Sequence, residues 1–129
     1  MSEHMAERFV EALGRLELSR DIETIVGLFA ETSEVGNLIA PEKFEGRDGA
    51  RRFWTIYRDT FGEVRSNFRN RILTDGRAAL EWTTEGTSAN GTSVKYDGVS
   101  ILEFEGDQIT RFRAYFNAEE LGRQVTKDE

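Results

Sequence analysis

At 129 residues the chain has the length of one domain, and a formal charge of −7 with a pI near 4.9 argues against nucleic acid and anionic membranes as partners. With no cysteine there is no disulfide framework and no thiolate metal site. No apolar run reaches the length of a membrane span and Met1-Ser2-Glu3-His4 has no secretory pattern, so the expectation is a single domain over residues 1–129, resident in the cytoplasm.

Met5, Phe9, Ala12, Leu13 and Leu16 recur at helical spacing and predict a first helix over Met5–Leu16. Ile22, Ile25, Val26 and Phe29 do the same for Asp21–Ala30, with Asp21 as N-cap. Glu34–Ala40 reads as a short extended segment ended by Pro41, which forces extended geometry on Ala40, and Glu42–Gly46 reads as a loop. Asp48 is placed to cap a third helix over Gly49–Phe61, whose stripe of Ala50, Phe53, Trp54, Tyr57 and Phe61 suits either a packed core or the wall of a ligand site.

Strands follow. In Val64–Leu73, Arg65, Arg69 and Arg71 alternate and suit a solvated or salt-bridged sheet face, offset by acidic stretches such as Leu102-Glu103-Phe104-Glu105. Asp75-Gly76 and Ala89-Asn90-Gly91 are turns on either side of a strand over Arg77–Ser88. Two long strands, Thr92–Phe104 and Gln108–Phe116, meet at Glu105-Gly106-Asp107, and a short helix over Ala118–Val125 carries an Asn117–Glu120 capping box before a charged tail, Lys127–Glu129. One face of the long pair is apolar (Leu102, Phe104, Phe112, Ala114, Phe116) and needs helices or a second sheet to cover it, which the three upstream helical segments can do. Helices gathered before a meander of strands define an α+β class.

This order, with Asp21…Ile25-Val26-Gly27-Leu28-Phe29-Ala30, Phe44-Glu45-Gly46-Arg47-Asp48, Glu81-Trp82-Thr83 and Gly106-Asp107-Gln108-Ile109-Thr110-Arg111-Phe112-Arg113-Ala114-Tyr115-Phe116-Asn117, resembles the nuclear transport factor 2-like superfamily. Within it the chain is most similar to the SnoaL-like polyketide cyclases and the ketosteroid isomerase-like group, over about Met5 to Gln124. The resemblance implies a cone-shaped, curved antiparallel sheet wrapped around three N-terminal helices, a conical pocket for a small, largely apolar organic molecule, and a homodimer through the outer sheet face. It also supplies positions for acids. The isomerases' first-helix tyrosine matches Phe9, their basic aspartate Asn37, and their protonated aspartate Ser100. The last-strand aspartate of the cyclases and related epoxide hydrolases matches Ala114, and the hydrolases' Arg-x-Asp pair matches Glu81-Trp82-Thr83. None of these positions keeps the family's group.

Alternation divides Arg77–Ser88 into Ala78, Leu80, Trp82, Thr84 and Ala79, Glu81, Thr83, Glu85. Hydrophobicity turns the first set toward the interior; the resemblance turns the second set there. Following the resemblance, Glu81 is the candidate acid/base, made a weaker acid by burial, with Glu85 one pleat nearer the mouth. Asn37 and Tyr96 are candidate donors, Trp54, Phe112 and Phe116 candidate walls, and Leu80 and Trp82 face outward toward a dimer partner. With the opposite parity Glu81 and Glu85 are solvated strand residues. His4 is the only histidine and no phosphate-binding loop is present, so neither metal nor cofactor is expected. The expected function is binding of a small apolar molecule, with isomerase- or cyclase-like proton transfer; the alternative is a non-catalytic ligand-binding or dimeric interaction domain.

Overall fold

The computed structural model describes residues 2–37 and 44–125. Its elements run α1 (Ser2–Ser19), α2 (Ile22–Val26), β1 (Phe29–Asn37), β2 (Phe44–Glu45), α3 (Gly46–Asp59), β3 (Phe61–Thr74), β4 (Arg77–Ser88), β5 (Ser93–Glu105), β6 (Gln108–Phe116) and α4 (Ala118–Val125). The strands form one sheet in the order β2-β1-β6-β5-β4-β3. The α+β class holds. The sheet is mixed rather than wholly antiparallel, because β1 runs parallel to β6. The extended segment, the turn at Pro41 and the tail over Lys127–Glu129 fall partly or wholly outside the described residues, as does the Glu120 side chain of the capping box.

The glycine turns behave as expected. Gly76, Gly91 and Gly106 all carry positive φ, so the three hairpins close where the sequence puts them. Asp21 caps α2, accepting from the Thr24 amide at 3.2 Å and the Thr24 hydroxyl at 2.7 Å. That helix stops at Val26 rather than Ala30, because Leu28 turns its carbonyl to the Ile109 amide at 2.7 Å and Phe29 enters the sheet opposite Ile109. The third helix starts earlier than expected: it is preceded by Glu45, and Asp48 lies in its first turn instead of capping it.

Register arranges the inner face in rows across the strands. Ser66, Thr84 and Tyr96 are direct neighbours on β3, β4 and β5. Phe68, Trp82, Gly98 and Phe116 form the next row. Leu80, Ser100, Ala114 and Asn37 follow, and then Ala78, Leu102, Phe112 and Val35. Against these rows α1 lays Met5, Phe9, Ala12, Leu13 and Leu16, and α3 lays Ala50, Phe53 and Trp54; all are buried. Phe112 is the hub, with its ring 5.5 Å from Phe9, 5.0 Å from Trp54 and 5.9 Å from Phe53.

The parity of β4 is therefore the hydrophobic one. Leu80 and Trp82 are buried on the inner face, which overturns the expectation that they face a dimer partner. The outer face carries ion pairs: Arg65–Glu85 at 2.9 Å, Arg69 to both Glu81 and Asp97 at 3.6 Å, and Arg111–Glu103 at 3.6 Å. Arg65 and Arg69 are salt-bridged there, with β4 and β5 supplying the acids, but Arg71 does not share their face: a register shift between Phe68 and Asn70 sets it opposite Leu80, and it pairs with Glu7 of α1.

Trp82 owes its place to Gly98. A β-carbon there would lie 2.5 Å from Cη2 and Cζ2 of the indole and 2.6 Å from the Tyr115 carbonyl. Gly98→Ala is expected to cost about 1–3 kcal/mol in urea unfolding, because ring and backbone must both shift. Gly14, helical and with nothing within 4 Å of an added β-carbon, is the contrast; Gly14→Ala should instead stabilise by about 0.5–1 kcal/mol. Equal effects at the two glycines would refute the close approach at Gly98.

Candidate functional site

Between the helices and the sheet is a cavity of about 360 Å³. It lies between the main core and a smaller cluster around Phe61, Trp82, Tyr96 and Leu121, so apolar side chains surround it from both directions. Phe9, Trp54 and Phe112 line it from the main core. Tyr96 stands among Phe61, Trp82 and Phe116, with ring centroids at 6.4, 5.4 and 5.4 Å. Leu121 contributes from α4, which is fastened to β5 by Gln124: its amide accepts from the Lys95 N–H at 2.6 Å and donates to the Lys95 carbonyl at 2.9 Å.

Of the residues expected to form the site, Asn37, Trp54, Tyr96, Phe112 and Phe116 all border this cavity. Glu81 and Glu85 do not. Both are on the other side of β4, partly exposed, and paired with Arg69 and Arg65. The expectation of an apolar environment around Glu81 fails for the same reason that Trp82 is buried: the two are adjacent on one strand and must face opposite ways. Arg65 holds the Glu85 carboxyl below its usual range chiefly by a hydrogen bond. Ser100 and Ala114, at two of the positions where the family keeps acids, border the cavity, with the Ser100 hydroxyl accepting from the Trp82 indole N–H at 2.9 Å.

A group that the sequence reading missed is Glu17. It is 4% exposed on the last turn of α1. Its carboxylate accepts from the Tyr57 hydroxyl at 2.6 Å, the Ser66 amide at 2.9 Å and the Ser66 hydroxyl at 2.6 Å. The Ser66 hydroxyl is in turn 2.6 Å from that of Thr84. Tyr57, Ser66 and Thr84 border the cavity, with Glu17 immediately behind them. Burial, then the charge of Glu17, raises the Tyr57 phenol well above its ordinary value, and the same two causes raise Tyr96. Among the described residues no cation is within ion-pair distance of Glu17. A signal existed: Glu17 is four residues beyond Leu13, on the buried stripe of a helix that runs to Ser19. Among the described residues no group of three or more His, Cys, Asp or Glu side chains is arranged to hold a metal, and no helix is long and apolar enough to cross a membrane.

A helix-filled, strongly curved sheet with a cavity of this kind is the architecture of the nuclear transport factor 2-like proteins. The chain belongs to the SnoaL-like domain family, whose model matches residues 6–112. Among solved structures it is similar to a nuclear transport factor 2-like protein of unknown function from Burkholderia pseudomallei, with TM-score 0.85, 20% identity and 97% of each chain covered. It is also similar to TerC co-crystallised with polyporic acid, with TM-score 0.82, 19% identity, and 97% of this chain and 98% of that one covered. A hypothetical protein with a ketosteroid isomerase-like fold from Catenulispora acidiphila, in complex with trimethylamine, superposes with TM-score 0.80 at 14% identity and 92% coverage of each chain. No curated protein matches the sequence.

The raised tyrosines give a pH dependence whose sign is fixed. Free phenols ionise near pH 10.0, and Tyr57 and Tyr96 keep their protons beyond that point in the folded chain. Their contribution is whole below the free value and declines as pH climbs above it, by up to about 1.4 kcal/mol per pH unit for each phenol. Urea unfolding at about pH 8 and about pH 11 should show this loss, and Tyr57→Phe should make it smaller. An identical loss in wild type and variant would remove Tyr57 from the account.

Proposed function

We propose that this protein binds a small, largely apolar organic molecule in the cavity between helices and sheet. The observation that carries this is the composition of the wall: aromatic rings enclose a space of about 360 Å³, and hydroxyl groups are concentrated at one region of it. Such a wall rewards burial of apolar surface and uses a few polar contacts to orient the guest. The co-crystallisation of TerC with polyporic acid supports the same use of the scaffold.

Binding without catalysis is the reading the geometry favours. Asn37, Ser100 and Ala114 cannot do the work of the carboxyl groups that the family keeps at those positions, and Glu81 is outside the cavity. Titration of naphthalene into the protein by calorimetry should show saturable binding at one site. Ala114→Phe, which fills the cavity from β6, should weaken it at least about tenfold, whereas Glu81→Gln should leave it unchanged. Retained affinity in Ala114→Phe, with a native unfolding transition, would overturn the proposal.

A homodimer through the outer sheet face is part of the same reading. Its support is the family resemblance and an apolar island of Val99, Ile101 and Tyr115 on that face, with Tyr115 39% exposed. Sedimentation at micromolar concentration should give twice the 14.7 kDa chain mass, and Tyr115→Glu should return it to the single value. A wild-type protein that sediments as one chain contradicts the dimer.

A further inference from the structure

The hydrogens around Glu17 have a fixed direction. Tyr57 has one hydroxyl hydrogen, and it goes to the Glu17 carboxylate. Ser66 has one, and it also goes to Glu17. The short contact between Ser66 and Thr84 must then be donated by Thr84. Every hydroxyl hydrogen of the network points inward to the carboxylate. What remains on the Tyr57 and Thr84 oxygens is lone pairs, and both residues border the cavity.

We infer that the Tyr57 and Thr84 oxygens, polarised by Glu17, form a hydrogen-bond-accepting pole that selects apolar ligands carrying a hydroxyl group, with phenols and enols favoured over ketones and ethers. This rests on the binding reading above and specifies its ligand class. An acidic hydroxyl extends the chain by one link, from ligand to Thr84 to Ser66 to Glu17, and delivers a hydrogen bond assisted by the buried charge. A carbonyl or ether oxygen meets lone pairs there and gains nothing. Tyr96, directly across from Thr84, completes the row; the Glu17 charge that raises its phenol is the same charge that orients the other three hydroxyls.

The test compares two guests of one shape, β-naphthol and its methyl ether, by calorimetry on the full chain. Wild type should bind the naphthol about tenfold more tightly than the ether, as expected for one hydrogen bond to a charge-linked acceptor. Tyr57→Phe with Thr84→Val keeps the shape but removes both accepting oxygens, and the two affinities should converge to within about twofold. Glu17→Gln replaces one acceptor oxygen with a donor, which releases the hydroxyl hydrogens toward the cavity, and it should abolish or reverse the preference. If both guests bind wild type equally, or if the naphthol preference survives in the double variant, the accepting pole is refuted while the cavity remains a binding site. If neither guest binds, the binding reading falls and this inference with it.

Discussion

Alternation along a strand is the constraint on which the rest of this structure depends. Successive side chains leave a sheet on opposite faces, and here the register across β3, β4, β5 and β6 gives one face Phe68, Trp82, Thr84 and Tyr96 and the other the ion pairs of Glu81, Glu85 and Asp97. Trp82 and Thr84 are inside because Glu81, Thr83 and Glu85 are outside, and the reverse arrangement would bury two carboxylates while exposing an indole. Burial of the apolar set decides the matter, since charge transfer from water is far more costly than the gain from any outward contact of Leu80 or Trp82. The outer ion pairs are consequences of that choice, and each, being exposed, contributes little by itself.

The aromatic cluster around Phe112 illustrates how the helices complete what the sheet begins. Phe112 meets Phe9 from α1 and both Phe53 and Trp54 from α3, with tilted and edge-on ring geometries typical of aromatic cores. Phe9, Trp54 and Phe112 of this cluster also line the cavity, together with Tyr57 one turn further along α3, Ser66 and Phe68 on β3, and Phe116 at the end of β6.

Much of this was legible in the sequence. β4, β6 and α4 begin and end where alternation, glycine turns and helical periodicity put them, because those signals are local. The parallel pairing of β1 with β6 was not legible. Phe29 and Ala30 continue the helical spacing of Ile22, Ile25 and Val26, and only a partner eighty residues away in sequence, Ile109, draws them into the sheet. The faces of β4 were legible from hydrophobicity, while the family resemblance turned the opposite set of residues inward. Glu17 was obscured by a helix boundary. The predicted first helix stops at Leu16, one residue short of Glu17; the helix in fact runs on to Ser19, with the glutamate 4% exposed and Leu18 81% exposed. Helical spacing from Leu13 places it on the buried stripe, but the donors that satisfy it come from α3 and β3, and those no local pattern encodes. A buried carboxylate with three donors and, among the described residues, no cation within ion-pair distance is costly to keep, and sites of function are where such costs are kept.

Trp54 and Trp82 are the chain's only tryptophans, and both border the cavity. The protein's entire indole fluorescence therefore originates at the wall of this cavity, one emitter on the helical side and one on the sheet, so any guest that enters it can be detected optically in the native chain with no dye or label attached.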